Sequence, residues 1–188
     1  LVFIDLPGHE AFTHMRGRGA QVTDVVILVI AAEEGVKPQT EECINHAKAA
    51  EVPVVVAINK CDKAEANPQK IRELLTSYGL IAEEWGGDAL MVETSAVTGQ
   101  GITDLLDAVL LQAEIAELQG NSHKKAVGTV LEAEKSEGRG VLATVLIQDG
   151  TLRVGDMALA GTGFGRIRDI RDDQGNTIPM AGPATPVE

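Results

Sequence analysis

Cysteine is scarce: Cys43 and Cys61 are the only two in 188 residues, and they form neither a disulfide framework nor a spaced metal motif, which fits a reducing compartment. Aromatic residues make up only 3% of the chain, so the core must be built from Ala, Val, Ile and Leu, as in layered α/β proteins. No apolar run approaches the roughly 20 residues needed to span a bilayer. Positive charge is also in short supply. Sixteen Lys and Arg against 28 Asp and Glu leave a net charge of −12, which argues against broad attraction to nucleic acid and leaves any RNA contact to a local basic patch. His14, His46 and His123 share no ligand spacing and read as surface or helix-packing residues. An initiator Met is absent and the chain opens on a strand-like stretch, so its natural start is expected upstream and the lack of a targeting segment carries no weight.

What is present is a 44% hydrophobic content, arranged in runs that change period once. Leu1 to Ile4, Val25 to Ala32, Val52 to Ile58 and Ala89 to Thr94 read as strands of a parallel sheet, and Val25 to Ala32 as one buried on both faces. Between them, helical spacing is expected from Glu10 to Ala20, from Pro38 to about Glu51, after an Asn67-Pro68 cap, and from Ile102 to Leu118. Gly17 and Gly19 each cost about 1 kcal/mol against Ala, so the first of these helices is expected to be marginal. The alternation predicts an α/β fold with helices on both faces of the sheet. At Gln119 to Lys125 the helical period breaks. Beyond it a period of two, with turns at Glu137-Gly138, Asp149-Gly150, Gly161 to Gly163 and Asp173 to Asn176, predicts an antiparallel barrel or sandwich over 121–188. The chain ends among prolines, so its last strands are expected further on.

Three strand ends carry the chemistry. The first strand delivers Asp5-Leu-Pro-Gly-His9 to the carboxyl edge of the sheet, where such sheets bind ligands. There Asp5 could hold the water shell of a Mg²⁺, and Gly8 could bring its N–H to a phosphate oxygen with no Cβ in the way. His9 would face the attacking water. Alone, this motif is also an ordinary strand followed by a Pro-Gly turn. Asn59-Lys60-Cys61-Asp62 is more specific, because guanine presents two adjacent donors that one carboxylate, Asp62, can accept and adenine does not. Asn59 can brace the loop and reach the base's acceptor edge, and the Lys60 stem can lie along the ring. After the next strand come Ser95 and Ala96, whose backbone N–H could donate to the guanine carbonyl. Cys61 reads as a tolerated residue at the variable position of its motif. Arg16 and Arg18 read as a solvated helix face. Arg166, Arg168 and Arg171 lie partly on one strand face, diluted by Asp169, Asp172 and Asp173.

Asp-x-x-Gly-His, Asn-Lys-x-Asp and Ser-Ala, in that order and each after a strand, resemble the later three signature loops of a translational GTPase. Further stretches narrow the resemblance to bacterial-type translation initiation factor 2. They are Phe12 to Gln21, Gly35-Val-Lys-Pro-Gln-Thr40, His46 to Ala50, Trp85-Gly-Gly-Asp88, Leu111-Gln-Ala-Glu114 and Gly150-Thr-Leu-Arg-Val-Gly-Asp156. The resemblance implies a P-loop-type GTPase sheet over 1–120, followed by the start of a β-barrel second domain over 121–188. It implies GTP or GDP with Mg²⁺ as ligands, held by Asp5, Pro7, Gly8, His9, Asn59, Lys60, Asp62, Ser95 and Ala96, with His9 positioning the hydrolytic water. As partners it implies both ribosomal subunits, and initiator tRNA through domains outside this stretch, in a bacterial cytoplasm or an organelle matrix, with no membrane or DNA partner.

The phosphate-cradling Gly-x-x-x-x-Gly-Lys-Ser/Thr loop and the first switch lie N-terminal to residue 1 in that family. These residues alone are therefore expected to bind GTP weakly or not at all, to fold poorly in their first third and to be inactive. Leu6 stands where the family usually has threonine. Two other readings compete: an elongation-factor relative, which Trp85-Gly-Gly-Asp88 disfavours, and a non-catalytic ribosome- or protein-binding module that has lost its phosphate loop.

Overall fold

A computed structural model describes residues 1–8, 13–138 and 140–188, with the side chains of His14 and Arg18 also outside the description. The chain forms two compact units, one of residues Ile4–Leu118 and one of Leu1–Phe3 with Gln119–Glu188.

The first unit is built on a three-stranded parallel sheet in the order β1-β2-β3, comprising β1 (Val26–Ala31), β2 (Val54–Asn59) and β3 (Met91–Glu93). Helix α1 (Thr13–Val22) precedes β1, α2 (Pro38–Ala49) and α3 (Pro68–Ser77) connect the strands, and α4 (Ile102–Ile115) follows β3. Strand register sorts the side chains by face. Leu28 lies opposite Val56 and Ile30 opposite Ile58, and these four close a core with Ile44 of α2 and Ile71 and Leu75 of α3. Burying an aliphatic side chain of this size contributes about 1.5–3 kcal/mol, so this face carries much of the unit's stability. On the other face α4 packs against β2 and β3, and there Val55, Ala57 and Val109 are buried.

The chain between these elements stops them where its residues require. Pro38 opens α2 at its first turn, where a missing N–H costs nothing. Asn67 caps α3 by accepting from the Lys70 N–H, and Gly79 turns the chain out of that helix at φ 74°.

Two expectations fail at the amino-terminal side of this unit. Leu1 to Ile4 form no strand, and Leu1 and Phe3 are exposed. A parallel strand is held only by its neighbours' hydrogen bonds, and among the described residues β1 pairs with β2 alone. Nor is β1 buried on both faces. Val29, paired in register with buried Ala57, is 60% exposed because α4 lies over the other two strands. Helix α1, by contrast, forms straight through Gly17 and Gly19.

The second unit is antiparallel. Strands β4 (Val127–Ser136) and β5 (Gly140–Asp149) form a long hairpin, irregular between Val130 and Glu132. Strands β7 (Met157–Ala160) and β8 (Gly163–Arg166) form a shorter one around Gly161 and Thr162. Of the three arginines expected along one strand face, only Arg166 lies on β8, while Arg171 pairs with Asp169 at 3.0 Å. The period of two was too short to reveal β6 (Leu152–Arg153), β9 (Met180–Ala181) and β10 (Thr185–Val187). Strand β10 forms despite Pro186 because it lies at an edge, paired among the described residues only with β5. The core here is small, centred on Ile147, Ile170, Ala181 and Val187.

Candidate functional site

Parallel register brings the strand ends of the first unit together at one edge. Ala31 lies opposite Asn59, and Ile58 opposite Glu93, so the residues following all three strands meet there. The backbone then locks them. Ala32 N–H donates to the Asn59 carbonyl at 2.8 Å and Cys61 N–H to the Thr94 carbonyl at 3.1 Å.

Side chains complete the joint between the second and third loops. Ser95, fully buried, donates its hydroxyl to Asp62 Oδ1 at 2.6 Å and accepts from the Thr98 N–H at 3.2 Å. The bond from Ser95, reinforced by Asp62's own N–H, holds the Asp62 carboxyl below the usual carboxylate range. The result is an exposed carboxylate kept charged and fixed in direction. Asn59 Oδ1 accepts from the Ala96 N–H at 3.1 Å, so the expected bracing by Asn59 uses the amide expected to face a base carbonyl. A backbone N–H can share two acceptors, so this bond orients the amide without closing it to a ligand.

Lys60 sits in the left-handed region at φ 63°. Its ammonium bonds Glu34 Oε1 at 2.7 Å and Glu33 Oε1 at 2.9 Å, and Lys63 joins Glu33 at 2.7 Å. Lys37 also pairs with Glu34. These contacts lower the Glu34 carboxyl to about 2, through Lys37 first and Lys60 second, and raise the Lys60 ammonium to about 12, through Glu34 first and Glu33 second. All of these groups are at least partly exposed, so water screens the network. Glu33 and Glu34 escaped the sequence reading. Their signal was two consecutive carboxylates placed directly after a buried strand.

Gly101 supports this edge from beneath. It takes φ 70° at the start of α4, and a Cβ there would stand 2.0 Å from the Glu93 carbonyl oxygen. Arg72 of α3, nearly buried, reaches the same residue from the side, with its Nη2 2.9 Å from Glu93 Oε1.

The opening loop is held differently. Asp5 and Gly8 are exposed, Pro7 is half-buried, and His9 and Phe12 lie outside the described residues. Leu6 lies over Gly19 of α1, where a Cβ would come within 2.5 Å of its Cδ1. The glycine that weakens the helix thus admits the loop. Arg16 is the correction to the solvated-face reading, since it is only 4% exposed. Its Nη1 donates to the Pro7 carbonyl at 3.0 Å, and its Nη2 to both oxygens of Glu42 on α2 at 3.0 Å. The bond to Glu42 is the largest cause raising the Arg16 guanidinium, and the bond from Arg16 the largest cause lowering the Glu42 carboxyl. His46 Nε2 comes within 3.3 Å of Glu42 Oε1. Its ring packs against Gly17. Glu42 is the fifth residue of α2, whose first turn follows the carboxyl end of β1. Arg16 therefore anchors the opening loop beside the half of α2 that begins at the edge carrying the other two loops.

A parallel α/β layer that gathers Asn-Lys-x-Asp and Ser-Ala at its carboxyl edge is a nucleotide-binding domain in type. The chain belongs to the family of the elongation factor Tu GTP-binding domain, whose pattern matches residues 1–114, and residues 125–188 match elongation factor G domain 2. Over all 188 residues the chain is 59% identical to translation initiation factor IF-2 of Desulfitobacterium hafniense (strain Y51). It is 57% identical to translation initiation factor IF-2 of Clostridium botulinum (strain 657 / Type Ba4). It spans 19% and 27% of the lengths of these curated relatives. Among solved structures, GDP-bound aIF5B from Aeropyrum pernix matches the whole chain over 40% of its own length, at 28% identity and a TM-score of 0.74. A bacterial selenocysteine-specific elongation factor, EF-Sec, matches 97% of the chain over 31% of its own, at 25% identity and a TM-score of 0.75.

Proposed function

We propose that this segment belongs to a translation initiation factor that binds and hydrolyses GTP, acts on the small ribosomal subunit with initiator tRNA, and promotes subunit joining. In this reading 1–120 belong to the GTP-binding domain and 121–188 to a barrel domain, which is supported by the division of Ile4–Leu118 from Gln119–Glu188, although Leu1–Phe3 group with the latter. The tRNA is held by domains outside this stretch. The factor works where its ribosomes are, in a bacterial cytoplasm or an organelle matrix.

The observation that carries the reading is the Ser95-to-Asp62 bond of 2.6 Å. It presents a single ionised carboxylate at the sheet edge, and guanine is the purine with two adjacent donors to meet it. Asn59 and the Ala96 N–H face the base's acceptors, and the Lys60 stem lies against its ring. At the phosphate end, Asp5 is exposed and open to a hydrated cation. Mg²⁺ is the cation expected there, because it keeps several waters and needs few protein ligands. Bound there, it would offset charge on the phosphates. Pro7 fixes the turn, Gly8 offers its N–H to the terminal phosphate, and His9 positions the water. Phosphoryl transfer depends mainly on such placement and charge stabilisation.

The test is Asp62→Asn in the full-length factor. Replacing an acceptor by a donor opposite the exocyclic amine should lower GDP affinity by about 10²-fold or more and favour xanthosine diphosphate, whose carbonyl accepts there. Unchanged guanine preference in a competitive nucleotide titration would overturn the assignment.

A further inference from the structure

We infer that Arg16 is the positioning residue of the opening loop, setting the direction of the Gly8 N–H through the peptide bond that joins Pro7 to Gly8. The inference rests on the guanine-nucleotide reading above and adds to it a residue outside the signature loops.

The argument begins with peptide geometry. A trans peptide is planar, with its carbonyl and N–H pointing in opposite directions. Whatever fixes the Pro7 carbonyl therefore fixes the Gly8 N–H, because the two belong to one plane. Arg16 Nη1 holds that carbonyl at 3.0 Å. Proline stiffens the chain leading into the plane, since its ring locks φ near −65°, but the plane itself can still turn about the Pro7 ψ. Glycine leaves the other side free, and nothing lies within 4 Å of where a Gly8 Cβ would be. That freedom lets a phosphate approach, but it also leaves the amide's direction to an outside constraint. Arg16 supplies one.

The anchor behind Arg16 is stiff. Its guanidinium is 4% exposed and reaches both carboxylate oxygens of Glu42 at 3.0 Å, with Nε a further 3.2 Å from Oε1. Such forked pairing fixes orientation as well as distance. Thr13 Oγ1, at 3.2 Å from Nη2, adds a contact from the first turn of α1. A cationic donor on the carbonyl also polarises the peptide, making the Gly8 N–H a stronger donor toward an anion. One side chain thus links α1 and α2 to the amide proposed to sense the terminal phosphate. GDP lacks that phosphate, so the arrangement bears on GTP and on turnover and leaves the base loops untouched.

The experiment compares wild type, Arg16→Gln and Arg16→Lys in the full-length factor, measuring GTP and GDP affinity, thermal midpoint, and kcat and KM of ribosome-stimulated hydrolysis. Arg16→Gln should lower the ratio of GTP to GDP affinity and reduce kcat, each on the order of tenfold or more, while GDP affinity stays within about twofold and KM for ribosomes is unchanged. Arg16→Lys should recover part of both losses, because an ammonium can still donate to the Pro7 carbonyl but cannot fork onto Glu42. A parallel fall in GTP and GDP affinity that tracks a lowered thermal midpoint would mean Arg16 only stabilises the fold, and would overturn the inference. So would an unchanged nucleotide ratio with full turnover. If Arg16→Gln does not fold, Arg16→Lys carries the same decision, with wild-type ratio and turnover overturning the proposal. A wild-type factor that binds neither nucleotide would instead refute the guanine-nucleotide reading itself.

Discussion

The two ends of the candidate site are built on different terms. At the base end, Asn59 to Asp62 and Thr94 to Ala96 leave neighbouring strands at the same level, and backbone and side-chain bonds join them within a few residues of a fully buried core. At the phosphate end, Asp5 to Gly8 have no strand behind them and are held by Leu6 over Gly19 and by Arg16. A loop carried by the sheet inherits the stability of the sheet. A loop carried by side chains can respond to a ligand at lower energetic cost. The difference suits the roles proposed: the base is the same in GTP and GDP, and the terminal phosphate is what changes.

The contrast can be broken most forcefully at the sheet. Ile58 is fully buried and immediately precedes Asn59, so Ile58→Ala should cost about 2–5 kcal/mol of unfolding free energy and lower GDP affinity along with it. A denaturation curve and a GDP titration check both. Preserved GDP affinity would show that the base loops do not depend on the strand beneath them.

A smaller effect is expected at Ser95. Ser95→Ala should weaken GDP binding by about tenfold or more, the scale of one charged hydrogen bond, and should shift its pH dependence. The sign follows from Asp62, whose carboxyl is lowered chiefly by the Ser95 hydroxyl. A carboxyl lowered in the folded state contributes stability above its ordinary pKa and loses that contribution as pH falls through the lowered value. Removing Ser95 raises that value, so the acid loss of binding should begin at a higher pH in the variant than in wild type. Identical acid limbs would detach Ser95 from Asp62.

The smallest effect should come from the carboxylates around Lys60. Glu33→Gln with Glu34→Gln removes both described ion-pair partners of that ammonium. Partly exposed pairs contribute little in solution, so GDP affinity should change by less than about threefold at 0.15 M salt and still less at 1 M. A tenfold loss would promote the pair from a surface network to part of the base site.

Much of the base end was legible beforehand because its signals are local. Buried strands of β-branched residues, each closed by a short polar motif, announce both the sheet and its carboxyl edge, and Asn67 and Pro68 mark a helix start that the structure keeps. The phosphate end was less legible. Leu1 to Ile4 had the composition of a strand, but composition cannot supply a hydrogen-bonding neighbour. Arg16 looked like a surface residue, because helical spacing shows which face a side chain occupies but not what approaches that face from 26 residues further along the chain. In the second unit, two- and three-residue strands such as β6, β9 and β10 are too short to carry a period, and they exist through their partners.

By itself the sequence determined the alternation of strand and helix from β1 to α4 and the change of period after Leu118, because these depend on residues adjacent in the chain. Tertiary structure alone decided that the Asp62 carboxylate is braced by Ser95, that β1 keeps an uncovered face at Val29, and that a buried arginine stands behind the opening loop. Each of those depends on distance and solvent exclusion between segments far apart in sequence, which no local pattern encodes.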